Sequence, residues 1–381
     1  MKILSRKISA IIGIFALFTL LLYVFITTNP ALPAQAADST LRPLIGNQGT
    51  LDLESLYFFL NDQINKVEYS YQKPNANVFS SSLLTNPEQV AGASVSSTMN
   101  LANIKLSKYF NPLPMEGVWQ PIANALFPHE TILAKTFIQT DPARSYAIVS
   151  LIKMNMKKLN IGVRAGTYYP GGPSGKFGKG RIPRTIQQAN SLVAAFNGGF
   201  MAKDGHYGMI VGNTSYVPLR KNLASLLIYK NGTAKFINYQ GQPLPANVAA
   251  VRQNGAFLIH HGKITPFVET GTDTWGRTTT NSMYTWRSGI GITKNGNLIY
   301  AVGNSLIPST LAAALKDAGA IDAIQLDINP YWVRYVLYTS LGKGRYTYVP
   351  LLRDMQNGGY AYLHGYNKDF FYIYKKPAQH N

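Results

Sequence analysis

Cysteine is absent from the 381 residues, which removes disulfides, thiolate metal sites and a thiol nucleophile together. Acid is scarce as well. The 17 Asp and Glu against 36 Lys and Arg leave a formal charge of +19, which favours anionic partners such as phosphates, acidic glycans or a lipid surface. Only six histidines occur, and the one adjacent pair, His260-His261, is expected to point to opposite faces of a strand and so not to share an ion. Serine-hydrolase G-x-S-x-G and Walker-type phosphate loops are missing. The basic residues are scattered with no helical or aromatic reading motif, which argues against nucleic acid. Apolar residues, by contrast, make up 46% of the chain, enough to bury a sizeable core.

Lys2, Arg6 and Lys7 precede an uncharged run at 8–26, long enough to cross the hydrocarbon layer as a helix and oriented to send the rest of the chain out. Ala34-Gln35-Ala36 offers the competing reading, a cleavable signal. The expected location is therefore the cell membrane, single pass with an extracytoplasmic domain, or secretion after signal cleavage. In order, the chain divides into a basic end (1–7), the anchor or signal core (8–26), a tether (27–50), a helical and flexible extension (51–116) and a main domain (117–381). Within the extension, Leu51 to Val67 has helical apolar spacing, and Asn75 to Asn100 reads as a mobile loop.

Short β-branched or aromatic runs fill the main domain. Strands are expected at 146–152, 192–196, 226–229, 257–259, 290–293, 298–302, 323–326 and 333–338. Asn231-Gly232 and Asn295-Gly296 mark two hairpins with tight primed turns. A helix is expected from Ser309, as capping hydroxyl, to a terminating Gly319. The fold class is α+β, with mixed, hairpin-rich sheets and a few packed helices in one main domain behind the N-terminal membrane segment.

Few charged residues stand in an unusual setting. Asp327 ends the apolar strand 323–326, where a carboxylate needs an Arg, a metal or N–H donors, or else organises the turn before Pro330. Arg287 and Arg252 each abut a hydrophobic strand, and a guanidinium suits bidentate phosphate binding as well as an ordinary strand end. Asn197-Gly198-Gly199 offers an amide and free N–H groups to an anion, or terminates a strand. Asp204 and His206 add acid or base function or simply make a turn. Tyr168 to Gly175 is a glycine-rich surface loop that would form one wall of a cleft.

Taken in order, four segments resemble the phosphodiester glycosidase family over roughly Gly117 to Tyr338. They are Ala195-Phe196-Asn197-Gly198-Gly199-Phe200, Val251-Arg252-Gln253-Asn254, Arg287-Ser288-Gly289-Ile290-Gly291, and the helix 309–318 followed by Leu326-Asp327. The resemblance implies that Asn197, Gly198 and Gly199 line an active site, that Arg287 binds phosphate and that Asp327 opens an Asp-Gly-Gly-Gly-Ser signature. Here Ile328-Asn329-Pro330 follows Asp327 instead, so Asn329 would have to replace a lost glycine amide. The implied catalytic residues are Asp327, Arg287 and Asn197. Gly198, Gly199, Arg252, Asn254, Ser288 and Asn329 are the expected substrate-binding residues, joined by Asp204 and His206 on their own residue chemistry. No cofactor is required by the sequence, and a divalent cation would sit at Asp327. The expected function is extracytoplasmic hydrolysis of a sugar phosphodiester or related anionic envelope glycan. The alternative is a noncatalytic surface module that binds such a glycan.

Overall fold

The computed structural model describes residues 40, 42–83, 99–270, 275 and 284–377. The apolar run at 8–26 and most of the expected loop at 75–100 lie outside them, and no helix among the described residues is long and apolar enough to cross a membrane.

Three sheets, antiparallel throughout, build the protein. The largest runs β1 (Gln120–Pro121), β2 (Leu133–Gln139), β3 (Ile148–Met154), β14 (Leu298–Leu306), β13 (Thr285–Thr293), β15 (Ala320–Ile328), β11 (Phe257–His260), β12 (Lys263–Ile264). The second runs β7 (Thr214–Val217), β6 (Met209–Val211), β10 (Val248–Gln253), β8 (Leu223–Tyr229), β9 (Ala234–Tyr239). The third runs β17 (Arg345–Pro350), β16 (Tyr335–Gly342), β5 (Leu192–Asn197), β18 (Phe370–Lys375), β4 (Leu159–Arg164). Antiparallel pairing needs only hairpins and short crossovers, which is why no regular βαβ alternation appears. α-Helices among the described residues are few: α1 (Arg42–Tyr71), α2 (Arg184–Gln188), α3 (Phe267–Thr270), α4 (Pro308–Asp317) and α5 (Gly359–His364).

Apolar burial joins the sheets. Phe196 of β5 is fully buried and packs on Tyr300, Tyr335 and Phe371 with ring centroids 5.0–5.5 Å apart. Each such ring contributes about 2–3 kcal/mol by leaving water. Because β5 is buried along its whole length, its last residue, Asn197, is carried into the interior, and a polar group there must be hydrogen-bonded.

Three local expectations are corrected. Both hairpins form, but positive φ is confined to Gly232 (+76°) and Gly296 (+79°), with Gly232 N–H donating to Tyr229 O and Gly296 N–H to Thr293 O. The chain thus uses a turn closed by one left-handed glycine, which Asn231 and Asn295 need not match. Helix α4 begins at Pro308, and Ser309 makes no side-chain cap, because proline's missing N–H already suits the first turn. Gly319 (φ +97°) ends it as expected. Finally, α1 extends beyond 51–67, breaks at Gly46 (φ 73°), and turns its apolar stripe outward, with Leu53, Leu56, Leu60, Ile64 and Val67 all 42–63% exposed.

Candidate functional site

Residues from all three sheets meet at one buried polar junction. β5 supplies Asn197 and the following Gly198-Gly199. β10 supplies Arg252 and, just past it, Asn254. β13 supplies Ser288, β15 supplies Asp327, and the start of β18 brings Lys368 and Asp369. Charge at strand ends is expected to be solvated. Here Arg252 and Asp369 are 0% exposed, and Asn197, Asp327 and Lys368 are 2% exposed.

Asn197 is the hub. Its Nδ2 donates to Ser288 Oγ (2.9 Å) and Gly198 O (3.0 Å), while its Oδ1 accepts from Tyr300 Oη–H (2.8 Å) and Arg334 N–H (3.1 Å). Ser288 Oγ in turn donates to Asp327 O (2.8 Å), and Asp327 N–H donates to Gly198 O (3.1 Å). The Asp327 carboxylate pairs with the Lys368 ammonium, which lies 4.6 Å from the Trp332 ring centre, and it accepts the Ile328 N–H at 3.1 Å. Asn254 ties in the second sheet, accepting Phe200 N–H (2.8 Å) and donating to Gln325 O (2.8 Å).

Arg252 carries the other charge pair. Its Nε donates to Asp369 Oδ2 at 2.8 Å, and its remaining nitrogens donate to Phe200 O (2.7 Å), Gln253 O (2.6 Å) and Tyr207 O (3.3 Å). Asp369 Oδ2 also accepts Gly199 N–H at 3.1 Å, whereas its buried Oδ1 has no hydrogen-bond partner among the described residues.

The paired glycines now have a physical reason. A Cβ at Gly198 would fall 2.0 Å from Asp369 Oδ2, and one at Gly199 would fall 2.5 Å from Asn254 Oδ1 and 2.9 Å from the Arg252 guanidinium. The protein's own ion pair occupies that space.

Arg287 is directed elsewhere. Adjacent strand residues face opposite sides, and while Ser288 reaches Asn197, the 1% exposed Arg287 donates to Leu306 O (2.9 Å), Trp275 O (2.9 Å) and Gln325 Oε1 (2.8 Å). Burial pulls its pKa down to about 9, so it stays charged at neutral pH. Of the three residues singled out as catalytic, Asn197 and Asp327 are thus joined through Ser288, and Arg287 sits on the far side of β13. Asn329 adopts φ +67° and accepts Tyr331 and Trp332 N–H on its Oδ1 (3.0 and 3.2 Å), so its amide oxygen organises the turn after Asp327. Asp204 and His206 lie on the turn at 202–206, where His206 is exposed with φ +51° and its N–H closes on Ala202 O.

Sequence reasoning passed over Lys368, Asp369 and Arg334. The first two immediately precede the aromatic run 370–374, the same signal that marked Arg252 and Arg287. Arg334, 7% exposed, donates to Tyr331 O (3.0 Å) and Gln356 Oε1 (2.8 Å) and stands 5.0 Å from the Tyr366 ring.

Beside the junction lies a cavity of about 330 Å³, lined by Tyr69, Tyr146, Trp286, Ser305 and Arg353 among others. Trp286 connects the two, since its carbonyl accepts Asn329 N–H at 2.9 Å. The histidine pair also departs from expectation. His261 has φ +50°, a left-handed turn that cancels strand alternation and stacks its ring 3.9 Å from that of His260. His260 Nδ1 lies 2.8 Å from Asp322 Oδ1, and the three side chains bring ligand atoms within 4.8 Å of one another.

Residues 190–327 match the model of the phosphodiester glycosidase family. Among solved structures, the catalytic domain of zebrafish N-acetylglucosamine-1-phosphodiester alpha-N-acetylglucosaminidase, auto-inhibited by its pro-peptide, overlaps 67% of this chain and 87% of its own. The identity is 17% and the TM-score 0.39. A hypothetical protein from Synechocystis overlaps 60% of this chain and 59% of its own, at 12% identity and a TM-score of 0.33. No curated protein matches the sequence.

Proposed function

We propose that the chain is a hydrolase that releases a sugar from a phosphodiester, or from a related anionic glycan, at the outer face of a bacterial membrane. The observation that carries this reading is the charge balance of the junction. Three buried cations, Arg252, Arg334 and Lys368, stand near two buried carboxylates, Asp327 and Asp369, and of these Arg252 and Asp327 fall within the residues that match the family. A buried excess of positive charge is costly unless an anion completes it.

In the proposed reaction the phosphate is met by Lys368 and Arg334, and the Asn197–Ser288 pair holds Asp327 in place. Water attacks the anomeric carbon, the bond from that carbon to the phosphate oxygen breaks, and the phosphomonoester leaves with the bonding electrons. Asp327, released from Lys368 as that ammonium turns to the phosphate, takes the water proton. A phosphate leaving group needs little protonation, which suits a site richer in donors than in paired acids. A divalent cation at Asp327 would have to displace the Lys368 ammonium, so Lys368 fills that role here. Arg287 acts through β13, fixing where Ser288 stands.

The test is sugar release by the full-length chain from a panel of sugar-1-phosphodiesters. Asp327→Asn should lower kcat/KM by about 100-fold or more, and Lys368→Met should raise KM. An inactive wild type, or an Asp327→Asn enzyme as fast as wild type, overturns the reading. One observation favours a second reading, a noncatalytic glycan-binding module: Asn197, Arg252 and Asp327 are at most 2% exposed and bonded internally, and Pro330 offers no N–H. Binding of the same panel without turnover would favour it.

A further inference from the structure

At the other edge of the third sheet lies an open cleft of about 920 Å³ between the 126–130 turn, the β3–β4 connection, the β8–β9 hairpin and the end of β18. Lys157, Lys158, Lys230, Lys375 and Lys376 all line it, with His129, and Glu130 is the one carboxylate among the described residues that do so. Glu130 is taken by Lys158 at 2.8 Å. Lysines are hydrated point charges that repel one another, so five from three separate segments converging on one hollow is more than a solvated surface requires. Burial lowers the pKa of Lys376.

We infer that this cleft binds a linear chain carrying repeated phosphate groups. The shape is concave, which suits a strand lying along it better than a flat lipid surface. Its aromatic faces are occupied, since Lys375 sits 4.9 Å over the Phe127 ring and Tyr374 stacks on Tyr372 at 5.6 Å. Nucleic-acid bases would need such faces free. Phosphate neutralisation by lysine carries the affinity, and it places a polymer alongside the protein independently of whether the distant junction turns it over.

Inorganic polyphosphate is the probe, with binding to the full-length chain measured by calorimetry at 50 and 200 mM salt. Raising the salt should weaken binding by roughly 30-fold if three to four phosphates are neutralised. The triple reversal Lys157→Glu, Lys230→Glu, Lys375→Glu should weaken it at least tenfold. A matched reversal of exposed lysines outside the cleft, Lys263→Glu, Lys294→Glu, Lys343→Glu, removes the same charge and should change it less than threefold. Equal loss in the two triples means only the overall charge attracts anions, and overturns the inference. Tighter binding to anionic phospholipid vesicles than to polyphosphate, lost in the same cleft variant, overturns it too.

Discussion

At the scale of single residues, the junction is held by groups whose removal leaves a partner stranded. Arg252 and Asp369 are a fully buried pair, and breaking such a pair costs about 3–5 kcal/mol because the remaining charge has no water. Asp369→Asn should therefore lower the urea midpoint sharply. Gly198→Ala should do so as well, by about 1–3 kcal/mol or more, because a Cβ 2.0 Å from Asp369 Oδ2 forces the pair apart. A Gly198→Ala protein as stable as wild type would show that the backbone there is free to move. The sequence made the double glycine conspicuous, as a source of free N–H groups or as a strand end. What approaches was not legible, because Asp369 lies 170 residues downstream of Gly199 and nothing local links them.

At the scale of elements, α1 is tied to the body by polar contacts on one side and leaves its apolar stripe outward. Asp62 on α1 is 2% exposed and meets Arg144 Nε at 2.7 Å and Lys66 at 2.8 Å. Burial would raise its pKa, but the hydrogen bonds from Arg144, Lys66 and Tyr146 outweigh that and hold it below the usual carboxylate value. A depressed carboxylate stabilises above its unfolded pKa and loses that contribution as pH falls through the lower folded value. Asp62→Asn should loosen α1, seen as faster proteolysis within residues 42–71, while the three sheets keep their far-ultraviolet signal. Protection equal to wild type would mean that other contacts hold the helix. Helical period was readable at 51–67; the direction of its apolar face was not, because period alone cannot say which side meets a partner. Strand positions were the most legible feature, since β-branched runs bounded by glycine, asparagine or proline recur throughout. Turn type was less so: an Asn-Gly pair permits a primed turn without requiring one.

At the scale of the whole molecule, two sets of buried groups oppose each other in alkali. Burial lowers Lys135 and Lys153 to about 8, so between pH 8 and 10.5 the unfolded chain holds protons the folded chain has released, and stability rises with pH. Burial raises Tyr300, Tyr338 and Tyr362 well above 10, so beyond pH 10 the unfolded chain ionises first and stability falls. Thermal midpoints should climb by roughly 1–3 °C from pH 8 to 10 and then drop, and Lys135→Met should flatten the climb. A midpoint falling steadily from pH 8 would contradict the assignment.

The proposal of a glycosidase-type cleavage meets its most direct check in H₂¹⁸O, using the full-length chain and a sugar-1-phosphodiester that it turns over. Attack at the anomeric carbon predicts ¹⁸O in the released sugar and none in the phosphomonoester. Label in the phosphate would mean attack at phosphorus and would contradict the proposed chemistry, whatever the rate.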